Sequence, residues 1–286
     1  MKSARTLSGK QAEPRMEWRE EFAQKGYAVV RGVLPPERIQ NALEEAERLR
    51  ALWRDGDGDG DGAAEAGGVR WLSHQDRAGN RRLRGVQSVC RISPVFDSLR
   101  TCPEVGAVIA AQLGGDIVNV VETLFFKAPG EGASGIAVHR DAEFRQPPEH
   151  YRDLANSYVQ MGLALDPHGP ENGGLVLAPG SHKDAQLSVT RAGSVMGVEA
   201  LAAASDDSRP LALEPVRLDP GDAVLWSALT LHGSPPNLST KSDRRFYVCG
   251  FMRQSACDAG WPAFSAGRGV PAPQEEASVR GRAGAP

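Results

Sequence analysis

The chain has 286 residues, with 33 Lys and Arg against 36 Asp and Glu, for a formal net charge of −3. That balance excludes a protein that grips nucleic acid or an anionic membrane by basic excess. The longest wholly apolar stretch, Val105–Ala111, is too short to span a bilayer. With 32 glycines and 20 prolines, the composition argues against a helix bundle and for many strands joined by tight turns.

In chain order, Met1 to Leu7 lacks the apolar core of an export signal. Glu13–Lys25 reads as a short helix stopped by Gly26. Tyr27–Val33 reads as a strand. Pro35-Pro36-Glu37 opens a second helix, on which Ile39, Ala42, Ala46, Leu49 and Trp53 recur at helical spacing. Asp55–Gly62 is a strict Asp-Gly repeat, and 55–68 is expected to be a flexible loop. Two more helices are expected at Pro94–Arg100 and Pro103–Leu113. The period then becomes strand-like at Ile117–Lys127, Ser157–Leu165, Gly174–Leu177, Val216–Leu218, Ala223–Trp226 and Arg244–Met252. Turn signals separate these runs: Asn172-Gly173-Gly174, Pro179-Gly180 and Asp219-Pro220-Gly221-Asp222. Ala185–Arg209 is less regular and reads as an insertion or lid. The expected architecture is mainly β with a helical flank, a jelly roll. It is one domain over 1–260, with a poorly ordered tail over 261–286.

Several local signals fail on their context. Gly130-Glu-Gly132-Ala-Ser-Gly135 has the dinucleotide-loop pattern, but strand-like Ile136–His139 follows where a helix N-terminus is required. The Asp-Gly repeat has no glutamate where a calcium loop needs its twelfth ligand: Ala66 or Gly68 stands there. The basic cluster Arg81-Arg82-Leu83-Arg84 lies on the surface or faces an anionic ligand. Cys90, Cys102, Cys249 and Cys257 form no C-x-x-C pair and are expected to be reduced and structural, which fits the cytoplasm.

The chemistry centres on His139-Arg140-Asp141. Residues two apart on a strand share a face, so His139 and Asp141 aim at one point and Arg140 turns away. His232, beyond the strand Ala223–Trp226, supplies a third ligand. Two histidines and one carboxylate form the facial triad of non-haem Fe(II) oxygenases. Alone, H-x-D is a weak pattern, but its surroundings are specific. Glu171-Asn172-Gly173, Pro179-Gly180-Ser181-His182 and His232-Gly-Ser-Pro-Pro-Asn237, followed by Arg244-Arg245, occur in order. Together with Tyr27–Leu34 this set resembles the phytanoyl-CoA dioxygenase family over most of the chain.

The resemblance implies a double-stranded β-helix (a cupin-like barrel), and Fe(II), 2-oxoglutarate and O2 as metal and co-substrates. It implies His139, Asp141 and His232 as metal ligands and an arginine that clamps the far carboxylate of 2-oxoglutarate. Two candidates exist, Arg244 and Arg245, of which strand alternation lets only one point inward; the match favours Arg244. Thr123 and Lys127 fall where family members contact the co-substrate. Ser234 and Asn237 shape the loop after the distal histidine, and Gln160 is a further candidate pocket residue. His182 and His168 read as structural, and His74 and His150 as residues near the substrate mouth or incidental.

The implied activity is hydroxylation of an unactivated C–H bond of a small molecule, such as a natural-product intermediate, with release of succinate and CO2. A carboxylate at Asp141 argues against halogenation, for which the family's fold replaces that ligand by a small residue. Desaturation, cyclisation and epimerisation remain open, as does a non-catalytic jelly-roll binding protein. The complete set of ligands and arginine speaks against the last. The expected partner is a small-molecule substrate, with no nucleic acid and no membrane, in a monomer or dimer.

Overall fold

A computed structural model describes residues 17–53, 64–66, 68–76, 78–184 and 212–274. The Asp-Gly repeat, the expected insertion or lid at 185–209 and the tail beyond 274 lie outside the described residues.

Helix α1 (Glu17–Lys25) ends at Gly26, whose φ of +82° is left-handed and whose missing Cβ would stand 2.6 Å from Thr230 Oγ1. Strand β1 (Tyr27–Val30) stops short of the expected Val33. Asp222 turns the chain there, accepting from the Gly32 N–H at 2.8 Å and from Arg31 Nη1 at 2.6 Å. Helix α2 (Pro36–Leu52) starts on a proline and buries the stripe Ile39, Ala42, Ala46 and Leu49.

The next three strands are β2 (Ala64–Ala66), at the end of the expected flexible loop, β3 (Val69–Gln75) and β4 (Arg81–Gln87), which carries the basic cluster Arg81–Arg84. Trp71, Leu83 and Val86 are buried there, but the arginines between them obscure the period of two. Helix α3 (Pro94–Thr101) is capped by Ser93, whose Oγ accepts from the Phe96 N–H at 3.3 Å, and α4 (Pro103–Leu113) follows.

The remaining elements are β5 (Ile117–Lys127), β6 (Ile136–His139), α5 (Leu154–Ser157), β7 (Tyr158–Ala164), β8 (Val176–Leu177), β9 (Glu214–Pro215), β10 (Ala223–Trp226), β11 (His232–Ser234), β12 (Arg244–Arg253), β13 (Trp261–Ser265) and β14 (Arg268–Gly269). The strand expected at Val216–Leu218 lies instead at β9, paired with β8; Leu218 makes an isolated bridge to His168.

The larger sheet runs β1-β10-β7-β12-β5-β4-β3-β2, with β13 on the start of β5 and β14 on β13. The smaller runs β6-β11-β8-β9. From β5 onward the chain crosses to the small sheet at β6, returns at β7, crosses at β8 and β9, returns at β10, crosses at β11 and returns at β12. This repeated crossing between two facing antiparallel sheets is the jelly-roll winding, a double-stranded β-helix.

Alternation along β12 separates two cores. Tyr247 and Cys249 join Phe96, Leu99 and Ile109 under the helices. Phe246 and Val248 face inward with Leu175, Leu177, Val224 and Trp226. Burial of each such large apolar side chain contributes about 1.5–3 kcal/mol relative to exposure.

The expected tail boundary at 261 is corrected. Trp261 and Pro262 pair with Asn119 and Val118, and Ala263 and Phe264 are buried. Beyond the hairpin, the Ala272 N–H donates to Asp97 and Gln274 Nε2 donates to the Cys90 carbonyl at 2.9 Å. Short apolar alternation at 261–264 is the signal that marks this as sheet.

Candidate active site

His139 ends β6, His232 begins β11, and the antiparallel register places them opposite each other, with ring centroids 4.3 Å apart. Arg140 is extended (φ −112°, ψ 137°), so Asp141 falls on the same side as His139. Asp141 itself opens a 3-10 turn, Asp141–Phe144, rather than continuing the strand. Its Oδ1 lies 4.0 Å from His139 Nε2 and its Oδ2 3.8 Å from His232 Nε2. One ligand atom from each of the three residues falls within 4.8 Å of the others. Arg140 points away, donating to the carbonyls of Leu229 at 2.8 Å, Ser181 at 3.1 Å and Asp184 at 2.6 Å.

The donor set fits a divalent metal. His139 Nδ1 lies 2.8 Å from the Ala137 carbonyl and His232 Nδ1 lies 3.0 Å from that of Thr230. A carbonyl only accepts, so each Nδ1 carries the proton and each Nε2 presents a lone pair toward Asp141. Burial, and next the neighbouring His139, push His232 down to about 4, so it is neutral at physiological pH. Trp226 Nε1 donates to Asp141 Oδ2 at 2.9 Å and fixes the carboxylate from behind. Two imidazoles and one oriented carboxylate form a facial set with room opposite it.

That room is a cavity of about 670 Å³ between the sheets. His139, Asp141 and His232 line one wall; Thr123, Gln160, Ser234 and Arg244 line it too. Arg244 is 2% exposed, and its Nε has no partner among the described residues. Burial pushes its pKa down, with Asp166 opposing, yet a guanidinium remains a cation. A buried cation without a carboxylate in contact suits one brought by a ligand.

Other expected residues fall elsewhere. Arg245 is turned out of the cavity, donating to Asp166 at 2.6 and 2.7 Å and to Glu47 at 2.8 Å; alternation on β12 decides between the two arginines. Lys127 does not line the cavity. Its Nζ donates to Ser234 Oγ at 2.6 Å and to the Pro235 carbonyl at 2.5 Å, tying β5 to the loop after β11. Burial, then Arg244, lower its pKa well below the usual lysine range. Ser234 is thus both cavity wall and acceptor for Lys127. Asn237 holds the same loop, donating to the carbonyls of Lys127 at 2.9 Å and Ser242 at 2.7 Å. His168 is buried and its Nε2 accepts from the Leu175 N–H at 2.6 Å, a structural role. His182, near the Ala23 carbonyl, also lies off the cavity, as do His74 and His150.

Three functional neighbours escape the sequence reading: Trp226, Arg145 and Gln87, all on the cavity wall. For Trp226 the signal exists, as the last inward position of an alternating strand. For Arg145, in the loop after the 3-10 turn, no local pattern reveals it.

The family model for phytanoyl-CoA dioxygenase (PhyH) matches residues 22–246. The chain is 26% identical over 227 residues to the methylphosphonate hydroxylase of Gimesia maris, covering 79% of this chain and 76% of that one. It is 25% identical over 256 residues to a protein of Stutzerimonas stutzeri named "Probable alpha-ketoglutarate-dependent hypophosphite dioxygenase", covering 88% of this chain and 82% of the relative. Among solved structures, AviO1 from Streptomyces viridochromogenes Tue57 superposes with a TM-score of 0.62 at 25% identity, covering 86% of this chain and 97% of AviO1. With the family model spanning most of the chain, from α1 to β12, the protein belongs to the phytanoyl-CoA dioxygenase family and is a dioxygenase built on the jelly roll described above.

Proposed function

We propose that the protein is an Fe(II)- and 2-oxoglutarate-dependent dioxygenase that hydroxylates a C–H bond of a small molecule, releasing succinate and CO2. The observation that carries this reading is the meeting of His139, Asp141 and His232 on one wall of a cavity that also buries Arg244. The two relatives support a small substrate, since their names give methylphosphonate and hypophosphite.

In this reading His139 Nε2, His232 Nε2 and an Asp141 oxygen hold Fe(II). Bound there with 2-oxoglutarate, the metal supplies O2 activation and the oxidising power for C–H hydroxylation. The residues do the rest. The carbonyls of Ala137 and Thr230 keep both imidazoles in the ligand tautomer. Trp226 holds Asp141 against rotation. Arg244 binds the far carboxylate of 2-oxoglutarate in its guanidinium fork, with Thr123 and Ser234 on the adjoining wall. Leu175, Phe246 and Val248 keep that end of the cavity dry. Four buried free thiols suit a reducing compartment, and we assign the enzyme to the cytoplasm. Among the described residues no helix is long and apolar enough to cross a membrane.

The test is anaerobic addition of Fe(II) and then 2-oxoglutarate to folded protein. A visible metal-to-ligand charge-transfer band is expected, absent in Asp141→Ala and retained in Arg140→Ala. A folded wild-type protein that gives no band overturns the reading.

A further inference from the structure

The cavity has a second polar corner. Arg244 and Gly250 lie six residues apart on β12, roughly 20 Å of strand, and Gln160 stands opposite Gly250. At that corner Arg145 Nη2 donates to Tyr158 Oη at 2.8 Å, and Tyr158 donates its hydroxyl proton to Gln160 Oε1. Gly250 leaves the space for this, since a Cβ there would lie 2.7 Å from Gln160 Oε1.

Hydrogen bookkeeping then fixes what the corner offers. Tyr158 has one hydrogen and Gln160 Oε1 takes it, so the amide N–H groups of Gln160 are left for the cavity. Arg145 is 9% exposed, lines the cavity, and has an Nε without a partner among the described residues. Its Nη2 hydrogen bond goes to a neutral phenol, and its guanidinium sits 5.2 Å over the Tyr158 ring. The corner therefore presents donors and positive charge. Arg70 and Arg84 line the same cavity from β3 and β4, and the register shift between Leu72 and Ser73 leaves Arg84 as an extra residue on its strand. Among the described residues, Asp141 is the one carboxylate on the wall. A divalent metal and the two carboxylates of 2-oxoglutarate cancel. Asp141 acts on Arg145, and with Arg70, Arg84 and Arg244 also on the wall the arginines outnumber it, so the wall as a whole stays positive.

We propose that Arg145 and Gln160 bind an oxyanion of the primary substrate, a carboxylate or a phosphorus oxyacid, and so turn a neighbouring C–H bond toward the metal. The proposal rests on the oxygenase reading above and names the substrate class for that site.

The test uses protein saturated with Zn(II) and 2-oxoglutarate, carrying 15N-labelled arginine. Methylphosphonate, acetate and the uncharged dimethyl methylphosphonate are titrated separately. The Arg145 Nε–H resonance, assigned by its loss in Arg145→Gln, is expected to shift saturably with an anion and not with the ester. Whichever anion saturates at lower concentration identifies the oxyacid. Arg145→Gln is expected to lose at least tenfold in anion affinity with 2-oxoglutarate affinity kept within twofold, and Arg145→Lys to retain part of the anion binding. Protein that binds 2-oxoglutarate but shows no anion-dependent shift overturns this proposal alone. Parallel loss of 2-oxoglutarate affinity in Arg145→Gln also overturns it, because Arg145 then serves the co-substrate or the fold. Wild-type protein that binds no 2-oxoglutarate overturns the oxygenase reading, and the substrate assignment falls with it.

Discussion

At the scale of single residues, the site divides into groups that sequence spacing reveals and groups that only register reveals. His139 and Asp141 are two apart on extended chain, and His232 sits in a recognisable motif, so all three are legible in the sequence. Trp226 reaches the site from the facing sheet, through its hydrogen bond to Asp141, and Arg145 reaches it from the loop after the 3-10 turn, where no periodic pattern marks it. The two adjacent arginines show how one alternation decides chemistry. Arg244→Met is expected to weaken 2-oxoglutarate binding by about 10–100-fold, as loss of charge-assisted hydrogen bonds at roughly 1.5–3 kcal/mol implies. Arg245→Met is expected to leave that affinity within twofold, because its partners are Asp166 and Glu47. Calorimetric titration of 2-oxoglutarate distinguishes them, and equal losses would reverse the assignment. Trp226→Phe removes the hydrogen bond to Asp141 and is expected to cost about 10-fold or more in metal affinity. Unchanged metal affinity, read by competition with a chelator, would mean that the carboxylate needs no such support.

Among the elements, the strands of the barrel were legible because turn residues punctuate them, and the meander β2–β4 was not. Its apolar members Trp71, Leu83 and Val86 alternate with arginines and polar residues that the pattern reads as surface. The hairpin β13–β14 was hidden for a different reason. It is short and lies next to a stretch rich in glycine, proline and alanine, so composition outweighed alternation. It is nonetheless part of the domain: Phe264 is buried, with its ring 6.2 Å from that of Phe251, and β13 pairs with β5. Phe264→Ala is expected to destabilise the protein by about 3–5 kcal/mol, the usual cost of emptying a buried aromatic site. Urea denaturation measures this, and a loss below 1 kcal/mol would place the hairpin outside the cooperative unit.

For the whole molecule, the sequence is expected to form one jelly roll with a helical flank, and the winding of strands between two sheets is the architecture of the described core. That flank and the large sheet enclose Glu122, fully buried, which accepts from the Cys90 N–H at 2.8 Å. Burial raises its carboxyl to about 7 against an ordinary 4.5. The folded state then holds a proton that the unfolded state releases, so stability is fully present below about pH 4.5 and declines up to about pH 7. At about 1.4 kcal/mol per pKa unit this amounts to about 3 kcal/mol. Glu122→Gln is expected to flatten that decline and to raise Tm at pH 8 relative to the wild type. An unchanged slope in the melting temperature against pH would show that Glu122 does not titrate there. The indole that steadies Asp141 has a further, optical consequence. Trp226 is buried beside the metal-ligand triad, 5.2 Å from the His232 ring, so its emission reports on whatever the triad holds. The centre carries its own fluorophore among the chain's five tryptophans: iron loading is readable as quenching of the Trp226 share of the native fluorescence, and Trp226→Phe, compared at saturating iron, is expected to lose that iron-dependent part while the other four tryptophans still emit.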